Sequence, residues 1–330
     1  MHESLKFPFI VDFGLEQKVE VMKTRVLDSF LHRLFKFING RTNLIATYDL
    51  IDFNDFKLRD ESNSSNECIG IVVQGPVIPK ITKLSIDFLN ILFPAAKIVL
   101  STWQNENVNP FYHDEYSTMK LLINQKPNDP GFSNINLQIL SSKSGIDYLA
   151  TQGCTHILKI RSDVIITNPN SLDRLLQFHQ VNQSGIVFSS FNTFLNRLYS
   201  VSDQLMFGSV DQLKTFWSAN LVSSNQEYEV AESYLFRNYL FQLGFTPENT
   251  LASYLQAISR FTIIIDHESL GQIWNKGTFT SLSKRWRDYN DDSKLKQICA
   301  QDWIAIRNDL NNFMQEKKFS FTSPLIELAY

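Results

Sequence analysis

The stretch Cys68-Ile69-Gly70-Ile71-Val72-Val73 decides the fold, because it is a near-continuous apolar run that breaks at Gln74-Gly75-Pro76. Such a run fits a strand buried on both faces, as in a parallel sheet covered by helices. A helical pattern follows at Ile81, Leu84, Phe88, Ile91 and Leu92 and stops at Phe93-Pro94. A second apolar strand, Lys97-Ile98-Val99-Leu100, runs into Ser101-Thr102-Trp103. Strand, helix and strand in that order read as a βαβ unit. Further on, a polar connection over 104–133 holds one short strand at Lys120 to Asn124. Ile135, Ile139, Ile146 and Leu149 sit at helical spacing and Gly153 ends them. The strand Thr155 to Ile160 then leads into Arg161-Ser162-Asp163-Val164-Ile165-Ile166. A helix at about 170–181 precedes the strand Ile186-Val187-Phe188. Helices at about 210–219, 229–243 and 301–317, with one strand at Phe261 to Asp266, complete the pattern. The expected class is α/β, a Rossmann-type, mostly parallel sheet flanked by helices.

Ahead of this region, apolar residues at Leu15, Val19, Met22, Val26, Phe30, Leu34 and Phe37 have helical spacing, and Asn39-Gly40 supplies a stop. Lys18, Lys23, Arg25, Arg33 and Lys36 decorate that helix. They read as a basic face resting on an anionic membrane surface, or as a solvated face on a helix packed against the body. The polar run Arg59 to Asn66 reads as a linker. Residues 1–66 are therefore expected to form a helical extension, and 67–330 the main domain, with 67–190 as one half and 191–330 as the other.

Composition narrows the function. Lys+Arg is 31 against 34 Asp+Glu, a net charge of −3, where a dedicated nucleic-acid binder is usually basic. The 3 Cys have no metal-ligand or pairing pattern, which suits a reducing cytoplasm. No apolar run approaches the roughly 18 residues of a membrane span, and the first residues lack a signal-peptide pattern. The expected location is the cytoplasm, with contact at the inner face of the inner membrane if the basic helix binds lipid. No Gly-Lys-Ser/Thr phosphate loop, Gly-x-Gly-x-x-Gly fingerprint, zinc-protease motif or Gly-x-Ser-x-Gly elbow occurs. Asp288 to Asp292 lies in a charged run and reads as a surface loop.

Ligands of open α/β sheets bind at the carboxyl ends of the strands. Three such ends here are polar: Gln74-Gly75-Pro76, Ser101-Thr102-Trp103 and Arg161-Ser162-Asp163. Gly75 lets a backbone approach a ligand, Trp103 offers a flat face, and Arg161 a planar cation suited to phosphate oxygens. Asp163 stands where a carboxylate can hold a divalent cation, Mn²⁺ or Mg²⁺, against a diphosphate. Together they point to a nucleotide-sized ligand.

Leu158 to Val164 resembles the strand ending in an Asp-x-Asp of GT-A-type nucleotide-sugar glycosyltransferases, with Arg161 in the first acidic position. Val73-Gln74-Gly75-Pro76, Phe93 to Trp103, Asn128-Asp129-Pro130-Gly131, Lys159 to Asp163, Ser202 to Gly208 and Ala231-Glu232-Ser233-Tyr234-Leu235 occur in the order of the WavE lipopolysaccharide-synthesis family. The chain is similar to that family over roughly Val72 to Lys276, with Ala231 where a Pro is common. The resemblance implies a GT-A-like fold and transfer of a sugar from a nucleoside-diphosphate sugar to a glycan or glycolipid acceptor. It implies nucleotide-sugar contacts at Gln74, Gly75, Pro76, Ser101, Thr102, Trp103, Asn136, Gln138, Ser142, Gly145, Arg161 and Asp163. A late His in related folds completes a metal shell, which makes His267 a second ligand beside Asp163; a surface or core histidine is the other reading. Lys276 is a phosphate contact or a solvated lysine.

An acceptor hydroxyl needs a base if the configuration inverts. Glu232, early in a helix, and Asp203, in a polar turn, are the candidates, Glu232 as base and Asp203 as binder of substrate hydroxyls. Charge complementarity at a helix start and an ordinary turn Asp are the competing readings. Another sugar-phosphate or nucleotidyl transferase, and a catalytically silent scaffold in a polysaccharide-synthesis complex, stand as alternatives.

Overall fold

The computed structural model describes residues 68–225, 230–274 and 296–316. The expected N-terminal extension over 1–66, Lys276 and the charged loop at Asp288 to Asp292 lie outside the described residues. Nine strands and eight helices longer than a single turn follow one another among the described residues. Their core is a seven-stranded sheet of order β3-β2-β1-β4-β7-β6-β8.

The opening apolar run is β1 (Ile69–Gln74), every residue of it buried. Helix α1 (Pro79–Leu92) starts on a proline, whose missing N–H costs nothing at a helix start. It leads to β2 (Lys97–Trp103), and β3 (Lys120–Asn124) forms the edge. Helix α2 (Ile135–Thr151) returns the chain to β4 (His156–Arg161) on the other side of β1. Then come β5 (Val164–Ile166), α3 (Ser171–Val181) and β6 (Ile186–Ser189). The pairings of β1 with β2, β1 with β4 and β2 with β3 are parallel, as the apolar runs predict.

The segment Leu205–Ser209, which carried no strand expectation, is β7, and it runs antiparallel to both β4 and β6. Its five residues are too few for a period to declare itself. Because β7 is reversed, its starting end, Asp203-Gln204, lies at the carboxyl ends of the parallel strands: Ile160 pairs with Leu205.

Helices α4 (Val210–Phe216) and α5 (Ala231–Gln242) fall within the expected spans. Helix α6 (Leu251–Phe261) was not expected, and it passes directly into β8 (Thr262–Ile265), so the strand begins one residue later than its apolar run. The expected helix at 301–317 is two helices, α7 (Ala300–Asn308) and α8 (Leu310–Glu316), separated at Asp309, whose φ of −154° is extended backbone. A small antiparallel sheet joins β5 to β9 (Gln272–Trp274). None of the described helices is long and apolar enough to cross a membrane.

Candidate functional site

In register, Gln74 pairs with Ser101 on one side and with Arg161 on the other, so the three polar strand ends finish level. The Arg161 N–H donates to the Gln204 carbonyl at 3.0 Å, which adds the start of β7 to the same edge. The loops after β1 and β4 are joined: the Ser162 N–H donates to the Gln74 carbonyl (2.8 Å) and its hydroxyl to the Pro76 carbonyl (2.7 Å). Gly75 sits between them at φ +128°, and a Cβ there would meet Ser162 Oγ at 2.7 Å. Only glycine accepts both conditions.

Level strand ends do not mean open side chains. Gln74 Nε2 donates to Ser141 Oγ (2.9 Å) and Ser101 Oγ donates to the Ser141 carbonyl (2.7 Å), which ties both residues inward to α2. Trp103 is 2 % exposed and Thr102 is buried, so the open flat face expected of Trp103 is absent: the indole serves the core. Asn136 is buried and bridges the Asp129 carbonyl to both backbone groups of Val222. Ser142 is buried and Gln138 half-buried on α2. Gly145 faces the sheet, where an added Cβ would stand 2.5 Å from Val72 Cγ1; it is the close-packing point of α2 on β1 and opens on no ligand space.

The charged groups do converge. The Arg161 guanidinium holds Asp163 with two hydrogen bonds, Nε to Oδ1 (3.0 Å) and Nη2 to Oδ2 (2.9 Å). Trp274, from β9, donates its indole N–H to Asp163 Oδ2 at 2.9 Å. Arg161 Nη1 lies 3.7 Å from Asp203 Oδ2. Burial opposes the Arg161 charge, but Asp203 and Asp163 more than offset it and hold its pKa above the ordinary value. Glu232, in the first turn of α5, is half-buried. Desolvation, reinforced by the charge of Asp203, holds its carboxyl above the ordinary range against the pull of Arg197 and Arg161. A carboxyl so raised can take up and release a proton closer to neutral pH than a solvated glutamate.

Beneath this cluster lies a residue that sequence reasoning missed. Lys159 precedes Arg161 by two positions on β4, so both side chains stand on one face of the sheet. It is fully buried, with Nζ 4.7 Å from the centre of the Trp217 ring and donating to the Asp203 carbonyl. Burial pushes its ammonium down to about 8, with Asp203 opposing that shift. A lysine set between the apolar Ile157-Leu158 and Ile160 of a strand was the available signal.

The two expected cation ligands, Asp163 and His267, each have other partners. Both Asp163 oxygens are taken by Arg161 and Trp274. His267 stands edge-on to Phe191, which in turn stands edge-on to Trp274. Its Nδ1 lies 3.1 Å from Ser190 Oγ and 3.0 Å from Glu268 Oε2. No group of three His, Cys, Asp or Glu able to hold a metal ion occurs among the described residues. The donor set therefore does not fit a divalent cation held by Asp163 and His267.

The chain is similar, at 9 % identity and a TM-score of 0.40, to a provisionally named glucose-1-phosphate thymidylyltransferase from Bacillus anthracis in complex with sucrose, over 66 % of this chain and 93 % of that one. It is also similar to HddC from Yersinia pseudotuberculosis complexed with GMP-PN, at 10 % identity and a TM-score of 0.31, over 45 % and 79 %. None of the curated proteins matches the chain. The model of one family does match, over residues 69–260, which spans β1 to α6 and with them Arg161, Asp163, Asp203 and Glu232. This chain belongs to the WavE lipopolysaccharide synthesis family.

Proposed function

We propose that the protein is a GT-A-like glycosyltransferase that moves a sugar from a nucleoside-diphosphate sugar to a surface-glycan or glycolipid acceptor. The family membership supports a role in lipopolysaccharide synthesis. What supports the transferase reading is the charged cluster of Arg161, Asp163 and Asp203 at the strand-end edge where sheets of this class take ligands, whose charges act on the Glu232 carboxyl, itself held above the ordinary range. In this reading Glu232 accepts the proton of the acceptor hydroxyl, whose oxygen bonds to the anomeric carbon. The bond from that carbon to the diphosphate breaks, and the nucleoside diphosphate leaves with the electron pair. Asp203 binds substrate hydroxyls. Arg161 lends positive charge to the leaving group, where charge stabilisation matters most for rate, and Asp163 orients it. No step is routed through a cation. Use of a nucleotide sugar sets the reaction in the cytoplasm or at the inner face of the inner membrane.

The test incubates the full chain with UDP-, GDP-, CDP- and TDP-sugars and a lipopolysaccharide core acceptor, and measures the nucleotide product. Release of nucleoside diphosphate with one donor, dependent on Glu232, supports the reading. Release of pyrophosphate would move the assignment to nucleotidyl transfer, and no release with any donor would overturn catalysis altogether.

A further inference from the structure

One cation of the strand-end edge, Arg161, shares its charge with two carboxylates. Arg197 is not. Among the described residues its guanidinium makes no hydrogen bond and no ion pair, and its buried Nε has no partner. A solvated surface arginine turns its nitrogens to water, so a buried N–H left unpaired at a half-buried arginine asks for an explanation. Its Cζ lies 5.3 Å from the centre of the Phe194 ring, which holds one face of the guanidinium against an apolar surface.

The backbone that presents it is rigidly held. Tyr199, two residues on, is fully buried at φ +61°, a conformation rare for a bulky residue, and its hydroxyl donates to the Glu248 carbonyl at 2.8 Å. The Tyr254 hydroxyl donates to the Phe194 carbonyl (2.8 Å), and the Leu195 N–H to the Lys296 carbonyl (2.7 Å). Ser233 Oγ donates to the Leu198 carbonyl at 2.8 Å. That last bond joins the neighbour of Glu232 to the neighbour of Arg197, and Arg197 indeed pulls on the Glu232 carboxyl. An unpaired guanidinium thus stands on a loop hydrogen-bonded to the helix turn that carries the proposed base.

We infer that Arg197 is a further anion-binding residue of this site and takes a phosphate or carboxylate group of the substrate. The inference rests on the proposed function for where substrate lies. The anion has two sources of the same chemistry, the diphosphate of the donor or an acidic group on the acceptor glycan.

Wild type, Arg197→Gln and Arg197→Lys are titrated calorimetrically with UDP, GDP and inorganic pyrophosphate, and separately with glucuronate and glucose 6-phosphate. In Arg197→Gln, affinity for one set falls about tenfold to a hundredfold, with Arg197→Lys between, because lysine keeps the charge and loses the planar donor pair. Loss confined to the nucleotides and pyrophosphate assigns the donor; loss confined to the sugar acids assigns the acceptor. Melting temperatures of the three proteins, measured alongside, confirm that each variant is folded when it is titrated. Unchanged affinities in Arg197→Gln, or no binding of any of these anions by wild type, overturns the inference. Neither titration requires sugar transfer, so failure to release nucleoside diphosphate would sink the proposed function without deciding this one.

Discussion

Replacing Lys159 by methionine should change how stability depends on pH, and the size of the change follows from the burial of its ammonium. In the folded chain that group is pushed down to about 8, from 10.5 for an ordinary lysine. The gap, about 2.5 pH units, corresponds to about 3 kcal/mol of stability lost when both states carry the proton. The unfolded chain holds its proton up to about pH 10.5 and the folded chain releases it near pH 8, so between those values unfolding binds a proton. Stability from this group therefore rises with pH across that window, and the penalty is complete below it. Between pH 7 and 9 the gain is about 1 kcal/mol. Cys154, pushed up to about 12 by burial, works in the opposite direction above pH 9 in both proteins alike. Methionine keeps the apolar stem and removes the titration. Urea unfolding of both proteins at half-unit steps from pH 7 to 9 gives the difference curve, in which every other group cancels. A difference that stays flat across this range would refute the reasoning, and show that the ammonium keeps a pKa close to that of a solvated lysine.

Three further outcomes are expected. Glu232→Gln lowers turnover about 10²- to 10⁴-fold with little change in melting temperature; in wild type the carboxylate form is lost as pH falls through the raised pKa, so the acid limb of kcat/KM lies above that of an ordinary glutamate. Asp163→Ala leaves Arg161 without its two-bond partner and costs about 3 kcal/mol, toward the low end for a buried pair because the Arg161 side chain is 26 % exposed; urea midpoints check this. Gly145→Ala drives a Cβ to 2.5 Å from Val72 Cγ1 and costs about 1–3 kcal/mol in unfolding measurements, with nucleoside-diphosphate affinity unchanged by calorimetry.

Strands buried on both faces were legible because they need long apolar runs: β1, β2, β4 and β8 all announce themselves. So did the polar residues at their ends, and hence the edge of the sheet that gathers Arg161, Asp163 and Asp203. Strand β7 was not legible, since five residues carry too little pattern and its reversal depends on which neighbours it joins. That reversal is what carries Asp203 to Arg161. The direction of side chains was also hidden: Trp103 and Arg161 each close a strand, yet one turns into the core and the other is partly open.

Residue chemistry and periodicity alone thus settle the layered α/β architecture, because burial on two faces or one is written locally in the chain. Partnership is not local. Trp274 reaches Asp163 across 111 positions, and Ser233 joins the Glu232 turn to the Arg197 loop across 35. Whether an arginine is spent on a carboxylate or left unpaired is decided only when the folded chain brings its distant neighbours within hydrogen-bond range, where desolvation makes each pairing count.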